Sequence, residues 1–348
     1  MPTITFGMIV KNEEKFLPAC LESIKELADE IIVVDTGSTD KTIEIAKSFG
    51  AKIIHHKWQL NMSKARNEYI KAATKDYILS LDADERIAKQ DIPRIKPILE
   101  QHPNVMGFFF VKRDYGFQGT ARPHDDPFEE SKEFKTWMEV REVRLFKNDK
   151  RLHYTHHVHT DLFQSIQNLN GTVADIEGIP IHHFRQQLTI EQKKAKRKLY
   201  LQMLELEVIE NSTDPSAYGH LAAEYGPEDP ENSIKNYEKA VALIKKHKAE
   251  GRKAWSFHPA IIGQLALIYM EQKKLDKAKE LFSLAAELNS TDPRHYSSLG
   301  EIEFFEKDYT NANMHFLKAR ELDHPNTVYI TDRLNALSKI LGLNQVYF

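Results

Sequence analysis

From its first residues the chain alternates short apolar, β-branched runs with segments whose apolar positions recur every three or four residues. "TITFGMIV" is followed by a stretch from about Glu13 to Leu27 that places Phe16, Leu17, Cys20, Leu21 and Ile24 on one helical face. "EIIVVD" then leads into "STDKT", where Ser38, Thr39 and Asp40 are all good caps for a helix that Gly50 can close. "AKIIHH", "MSKARNEYIKAA" and "YILSLD" continue the alternation. Repeated strand–helix–strand units through about residue 112 predict a parallel sheet with helices on both faces. Ligands of such sheets bind at the carboxyl ends of the strands. That rule gathers Asn12, Asp35 and the segment from Asp82 to Asp84 along one edge.

Residues 113–136, "RDYGFQGTARPHDDPFEESKEFKT", read as a long irregular loop of the kind that is functional or mobile. "MEVREVRLFK" and "LHYTHHVHTDLF" are expected to be strands joined by a turn at "NDKR". Beyond about Leu188 the strand signal ends and the chain repeats. Pro259, Leu275, Ala278, Phe282, Ala285 and Leu288 recur as Pro293, Tyr309, Ala312, Phe316, Ala319 and Leu322, each 34 residues later, the period of tetratricopeptide helix pairs. A looser copy starts at Pro215, with Leu221, Tyr225 and Ala240, and carries an insertion around "KKHKAEGRKAW". The expected organisation is an α/β domain over 1–187, a connecting helix over 188–212 and helical repeats over 213–348. Such an array offers a stacking surface for a peptide, a partner or a second copy of the chain, and supplies no chemistry itself.

Composition narrows the classes. The 348 residues suffice for two cores, and a formal charge of −3 gives no reason to expect nucleic acid or an acidic membrane as partner. No apolar run approaches a membrane span, and "MPTITFGMIVKNEE" lacks a signal peptide's basic start and cleavage site, so the expected location is the cytoplasm. Cys20 is the only cysteine and reads as a packed thiol.

The chemistry is carried by "YILSLDADER", in which an apolar strand ends in acids. In an extended segment residues i and i+2 point the same way, so Asp82 and Asp84 can grip one hard divalent cation, Mn²⁺ or Mg²⁺, together with substrate phosphates. The plainer alternative makes Asp82 a solvated strand end and Asp84 a cap for the helix at "KQDIPRIKPIL". Asp35 and Arg66 on the same predicted edge favour the cation. A dinucleotide fold would need glycines where this chain has "IVKNEEKF". The histidines His156, His157, His159, His182 and His183 raise the alternative of a zinc site, which here lacks a cysteine or a His-x₃-His pair.

"MIVKNEEKFLPACLESI", "IIVVDTGSTDKTIEIAKSFGAKI", "KARNEYIKAATKDYILSLDADE" and "VRLFKND", in that order, resemble a family 2 glycosyltransferase of the GT-A fold over roughly residues 3–160. With the appended repeats the chain is similar to the sublancin-type S-glycosyltransferases. The resemblance implies transfer of glucose or a similar hexose from a UDP-sugar, with inversion, to a peptide or protein side chain. It implies a donor site built from Val10, Asn12, Glu14, Asp35, Arg66, Asp82 and Arg144, with the metal on Asp82 and Asp84. Relatives often end the domain with an apolar residue, His and Glu; here Val158, His159 and Thr160 stand there, leaving His159 as a further metal or phosphate contact. Glu139, Glu142 and Asp161 are the candidate general bases, with Glu142 preferred and Asp84 and His159 completing the catalytic set. The alternatives from other classes are a transferase acting on a lipopolysaccharide or capsular sugar, and a catalytically dead domain that supports a tetratricopeptide scaffold.

Overall fold

The computed structural model describes residues 1–116, 128, 131, 134, 136–184, 189–252, 254–255, 257–343 and 346–347. The chain divides into two compact units, Met1–Met203 and Leu204–Phe348.

In the first unit the elements run β1 (Ile4–Val10), α1 (Leu17–Ile24), β2 (Glu30–Asp35), α2 (Thr42–Ser48), β3 (Lys52–His55), α3 (Met62–Ala72), β4 (Tyr77–Ser80), β5 (Glu85–Ile87), α4 (Ile92–Gln101), β6 (Gly107–Tyr115), β7 (Trp137–Lys147), α5 (Phe163–Asn168), β8 (Val173–Asp175) and β9 (Ile181–His183). One sheet takes the order β3-β2-β1-β4-β7-β6-β9-β5, with β8 beside β6. β3, β2, β1 and β4 are parallel, as expected. Beyond β4 the sheet is mixed, because β7 runs antiparallel to both β4 and β6.

Strand alternation sorts the side chains into two cores. Ile4, Phe6, Met8 and Val10 of β1 pack with Leu17, Cys20, Leu21 and Ile24 of α1 and with Ile92, Ile95 and Leu99 of α4. Ile32 and Val34 of β2 face the other way, onto Ala65, Tyr69 and Ile70 of α3 and Ile166 of α5. Gly7 lets α3 approach closely, since a Cβ there would stand 2.5 Å from Tyr69 Cδ2.

Four local readings change. α1 starts at Leu17 rather than near Glu13, with Pro18 in its first turn. Asp84 is not the residue that opens α4, because β5 intervenes and Asp91 stands at the start of that helix. "LHYTHHVHTDLF" is not a strand: His156 and His159 have φ of 69° and 52°, and only an isolated bridge links Thr155 to Asp161. The start of α3 satisfies its carbonyls instead. The Ser63 hydroxyl shares its one proton between Thr155 O at 2.6 Å and His156 O at 2.5 Å, and Met62 N donates to His157 O at 3.0 Å. The expected loop begins later than residue 113, since β6 runs to Tyr115; most of the remainder lies outside the described residues.

α6 (Ile190–Glu210) carries the division between the units at Met203 and Leu204. The second unit continues with α7 (Pro215–Tyr225), α8 (Pro230–Ala249), α9 (His258–Glu271), α10 (Leu275–Leu288), α11 (Pro293–Phe305), α12 (Tyr309–Glu321) and α13 (Thr327–Leu341). The 34-residue pattern is a packing pattern. Ala278, Phe282 and Ala285 of α10 are buried, and so are their counterparts Ala312, Phe316 and Ala319 of α12. Much of the insertion in the looser repeat is taken up by lengthening α8 to 20 residues.

Candidate active site

Register places the carboxyl ends of the parallel strands side by side: Val10 pairs with Asp35, and Asp35 with His55. The loops that follow β1 and β2 clasp each other. Asn12, at φ 57°, accepts from Thr39 N at 2.7 Å, and its own N–H donates to Ser38 Oγ at 3.0 Å. Glu14 accepts from Lys41 N at 3.1 Å, while Asp40 accepts from Glu14 N at 3.1 Å. Asp35 is buried, and its carboxylate accepts from Gly37 N at 3.2 Å and Ser38 N at 3.0 Å. The exposed His55 ring brings Nδ1 to 3.5 Å from Asp35. Asn12, Glu14 and Asp35 thus shape one rigid rim.

A second group lies where β4 emerges. Arg66, buried on α3, donates to Asp82 Oδ1 at 2.6 Å and to Ser80 Oγ at 3.2 Å, with Tyr154 under its guanidinium. Arg144 Nη2 reaches Glu85 at 2.8 Å, Glu142 at 2.6 Å and Asp82 at 3.8 Å. Lys112 Nζ adds Glu142 at 2.9 Å and Glu85 at 3.6 Å. Arg144 gets there through a break in register. Phe108 pairs with Leu145 and Phe109 with Val143, so Arg144 is the extra residue of a β-bulge. Glu85 is fully buried and ties the network to the Asp82 loop by accepting from Asp82 N at 2.9 Å.

These pairings set the charge states. Against the upward push of burial, the charges of Arg66, Arg144 and Lys112 hold the Asp82 carboxyl well below the usual carboxylate range. Burial is likewise outweighed at Glu142, which Arg144 and Lys112 hold at about 2. Burial pushes Glu85 up, with Arg144 opposing. Glu13 rises to about 7 through burial and the negative charges of Asp84, Asp82 and Asp40, which marks a strongly negative spot.

Asp84 meets a histidine at that spot. Its Oδ2 is 3.1 Å from His183 Nε2, and the other ring nitrogen, Nδ1, is 3.2 Å from Asp114 Oδ1. Against the downward pull of burial, the nearby carboxylates of Asp114 and Asp84 push His183 up to about 9. Once Nε2 gives up its proton, this imidazole and the Asp84 carboxylate form a donor pair suited to a divalent ion, which fits Mn²⁺ better than Mg²⁺ because Mg²⁺ prefers oxygen throughout.

The structure therefore joins Arg66, Asp82, Glu142 and Arg144 in one ion-pair chain and sets Val10, Asn12, Glu14 and Asp35 at the neighbouring strand ends. His159 is exposed, its ring 6.4 Å from that of Tyr200 in an edge-on contact. Of the other candidate bases, Asp161 spends both oxygens on the start of α5, accepting from Phe163 N at 2.9 Å and Gln164 N at 3.1 Å, and Glu139 stands on β7 opposite Arg113. Sequence reasoning passed over Glu85 as a network member, and missed Lys112 and Asp114. It had His183 only as one of several histidines. A buried-strand pattern interrupted by charge, as in "FFFVKRDY", is the signal that marks Lys112 and Asp114.

Residues 5–164 match the family model described as glycosyl transferase family 2. Over 112 residues the chain is 41% identical to the SPbeta prophage-derived glycosyltransferase SunS of Bacillus subtilis, covering 32% of this chain and 26% of that protein. A TPR repeat-containing protein of Synechococcus elongatus is 42% identical over 114 residues, 33% of this chain and 28% of its own length. The matches thus span about a quarter of the length of these curated relatives. Among solved structures, S. aureus TarS 1–349 in complex with UDP-GlcNAc aligns with a TM-score of 0.42 and 13% identity, over 99% of this chain and 93% of that one. Among the described residues, no helix is long and apolar enough to cross a membrane.

Proposed function

We propose that the family 2 glycosyltransferase domain carried by residues 5–164 is a working catalyst. In this reading it moves a hexose from a UDP-sugar to a peptide or protein side chain, with inversion and with a divalent ion. The observation that carries the reading is the meeting of Asp84 and His183 at the carboxyl edge of the sheet, beside the Asp82–Arg66–Arg144 network.

The rim of Val10, Asn12, Glu14 and Asp35 receives the nucleoside, and its preformed hydrogen bonds keep it from rearranging when the donor enters. Asp84 and His183 would hold the ion. Arg66 fixes Asp82, while Glu85 holds the turn that carries both aspartates and aligns Arg144 and Lys112. When bound, the ion acts as a Lewis acid that neutralises charge on the departing diphosphate. In the transfer the acceptor heteroatom forms its bond to the anomeric carbon as the bond from that carbon to the diphosphate oxygen breaks. The electron pair leaves with UDP, and the acceptor's proton passes to water.

Glu142 is a poor taker of that proton near neutrality, since Arg144 and Lys112 hold it at about 2. That favours an acceptor that ionises readily. A cysteine thiol, with a pKa of about 8.5, needs the least help. The tetratricopeptide-like helices serve as the surface that presents the acceptor segment.

The test is to incubate the protein with Mn²⁺ and a panel of nucleotide sugars and to measure released nucleoside diphosphate. The best donor is then offered cysteine peptides, serine peptides and saccharides, with products read by mass spectrometry. Release from a UDP-sugar and a mass increase on a cysteine peptide are expected. No release from any donor would overturn the catalytic reading, and transfer to saccharides alone would move the acceptor to the polysaccharide class.

A further inference from the structure

We propose that Asp114 is a positioning residue that fixes the His183 imidazole so that Nε2 faces a divalent ion at Asp84. The inference rests on the reading of Asp84 and His183 as ligands of that ion.

Three neighbouring strands build the arrangement. β9 lies between β6 and β5, and its His183 is in register with Asp114 on β6 and with Glu85 on β5. Cross-strand partners in register put their side chains on the same face, so the imidazole stands in a row of acids. The side chain of Asp114 is 5% exposed, and that of His183 is 12% exposed. A buried carboxylate beside a ring nitrogen holds the ring's orientation and selects which nitrogen carries the proton. With Nδ1 3.2 Å from Asp114 Oδ1, Nε2 is the nitrogen presented to Asp84 at 3.1 Å.

The neighbouring histidine shows that adjacency in sequence is not enough. His182 points to the opposite face of the strand, where its ring stacks with Tyr115 and Phe184 and its Nδ1 lies 2.8 Å from the Tyr115 hydroxyl. One histidine of the pair belongs to an aromatic core, and the other reaches the acids.

Outer partners of metal-bound histidines typically change metal affinity by roughly ten- to a hundredfold. The experiment titrates Mn²⁺ into the full-length protein with saturating UDP and reads free Mn²⁺ by electron paramagnetic resonance. Asp114→Asn is expected to weaken Mn²⁺ binding by about ten- to a hundredfold. His183→Ala should weaken it further. Native Mn²⁺ affinity in His183→Ala would defeat the ligand assignment on which the inference rests. Weakened binding in His183→Ala with native affinity in Asp114→Asn would overturn the positioning role alone. Should Asp114→Asn fail to fold, the wild-type protein decides. In ¹⁵N spectra of its histidine rings with Cd²⁺ as a diamagnetic probe, His183 must keep a proton on Nδ1 while Nε2 takes the metal, and metal on Nδ1 would refute the proposal.

Discussion

Nε2 of His183 lies 3.1 Å from Oδ2 of Asp84, although 99 positions separate them in the chain. The contact exists because β9 inserts between β6 and β5, and β5 begins directly after the Asp82–Asp84 turn. The second aspartate of the acidic motif therefore meets its partner from the far end of the first unit.

Asp84→Asn tests the ion site directly. The amide keeps the shape of the side chain but gives up the charge that attracts a cation. Loss of an electrostatic contact of this kind typically costs about 3 kcal/mol in the transition state, roughly a hundredfold in turnover. UDP release should fall by that factor while the unliganded melting temperature moves by only a few degrees. EDTA should silence the wild type and Mn²⁺ restore it; full turnover in EDTA would remove the ion from the reaction.

Asp35 has two duties, and one substitution separates them. Its carboxylate accepts from Gly37 N and Ser38 N, so Asp35→Ala should lose roughly 1 kcal/mol of stability for each net hydrogen bond broken. If the rim also receives the nucleoside, UDP affinity measured by calorimetry should fall as well. Lower stability with unchanged UDP affinity would confine Asp35 to shaping its own loop.

Glu142 predicts an acid-sensitive step. Its folded pKa of about 2 lies below the ordinary value of 4.5, because Arg144 and Lys112 outweigh burial. A depressed carboxylate stabilises the fold above its unfolded pKa, and that contribution is lost as pH falls from about 4.5 toward 2. Glu142→Gln, neutral throughout, should melt below the wild type at pH 7, and the gap should close as the pH is lowered through this window. A gap independent of pH would show that the ion pairs contribute nothing to folding.

Gly7→Ala should be disruptive despite adding a single methyl group. The new Cβ would stand 2.5 Å from Tyr69 Cδ2, and that ring is held by the 2.9 Å hydrogen bond between its hydroxyl and Ser80 Oγ. Overpacking of this kind typically costs about 1–3 kcal/mol. Thermal unfolding should show the drop, and restoring room with Gly7→Ala/Tyr69→Leu should recover part of it. An unchanged melting temperature in the single variant would mean that α3 shifts freely on the sheet.

The sequence by itself determined what depends on local period and composition. Apolar runs such as "TITFGMIV" and "EIIVVD" alternating with helical segments marked the parallel strands, and the carboxyl-edge rule then put Asp35 and the Asp82–Asp84 turn on one rim. The 34-residue recurrence of Ala278, Phe282 and Ala285 identified the helical repeats, because the same buried face is built twice. The tertiary structure alone decided which charged groups meet. Arg144 joins the network through a bulge, and a single extra residue in one strand leaves no mark in a hydrophobic pattern. His183 reaches Asp84, and His182 does not, because strand order and register turn one ring toward the acids and the other into the core. Pairing between distant strands is set by the packing of the whole sheet, and no local spacing records it.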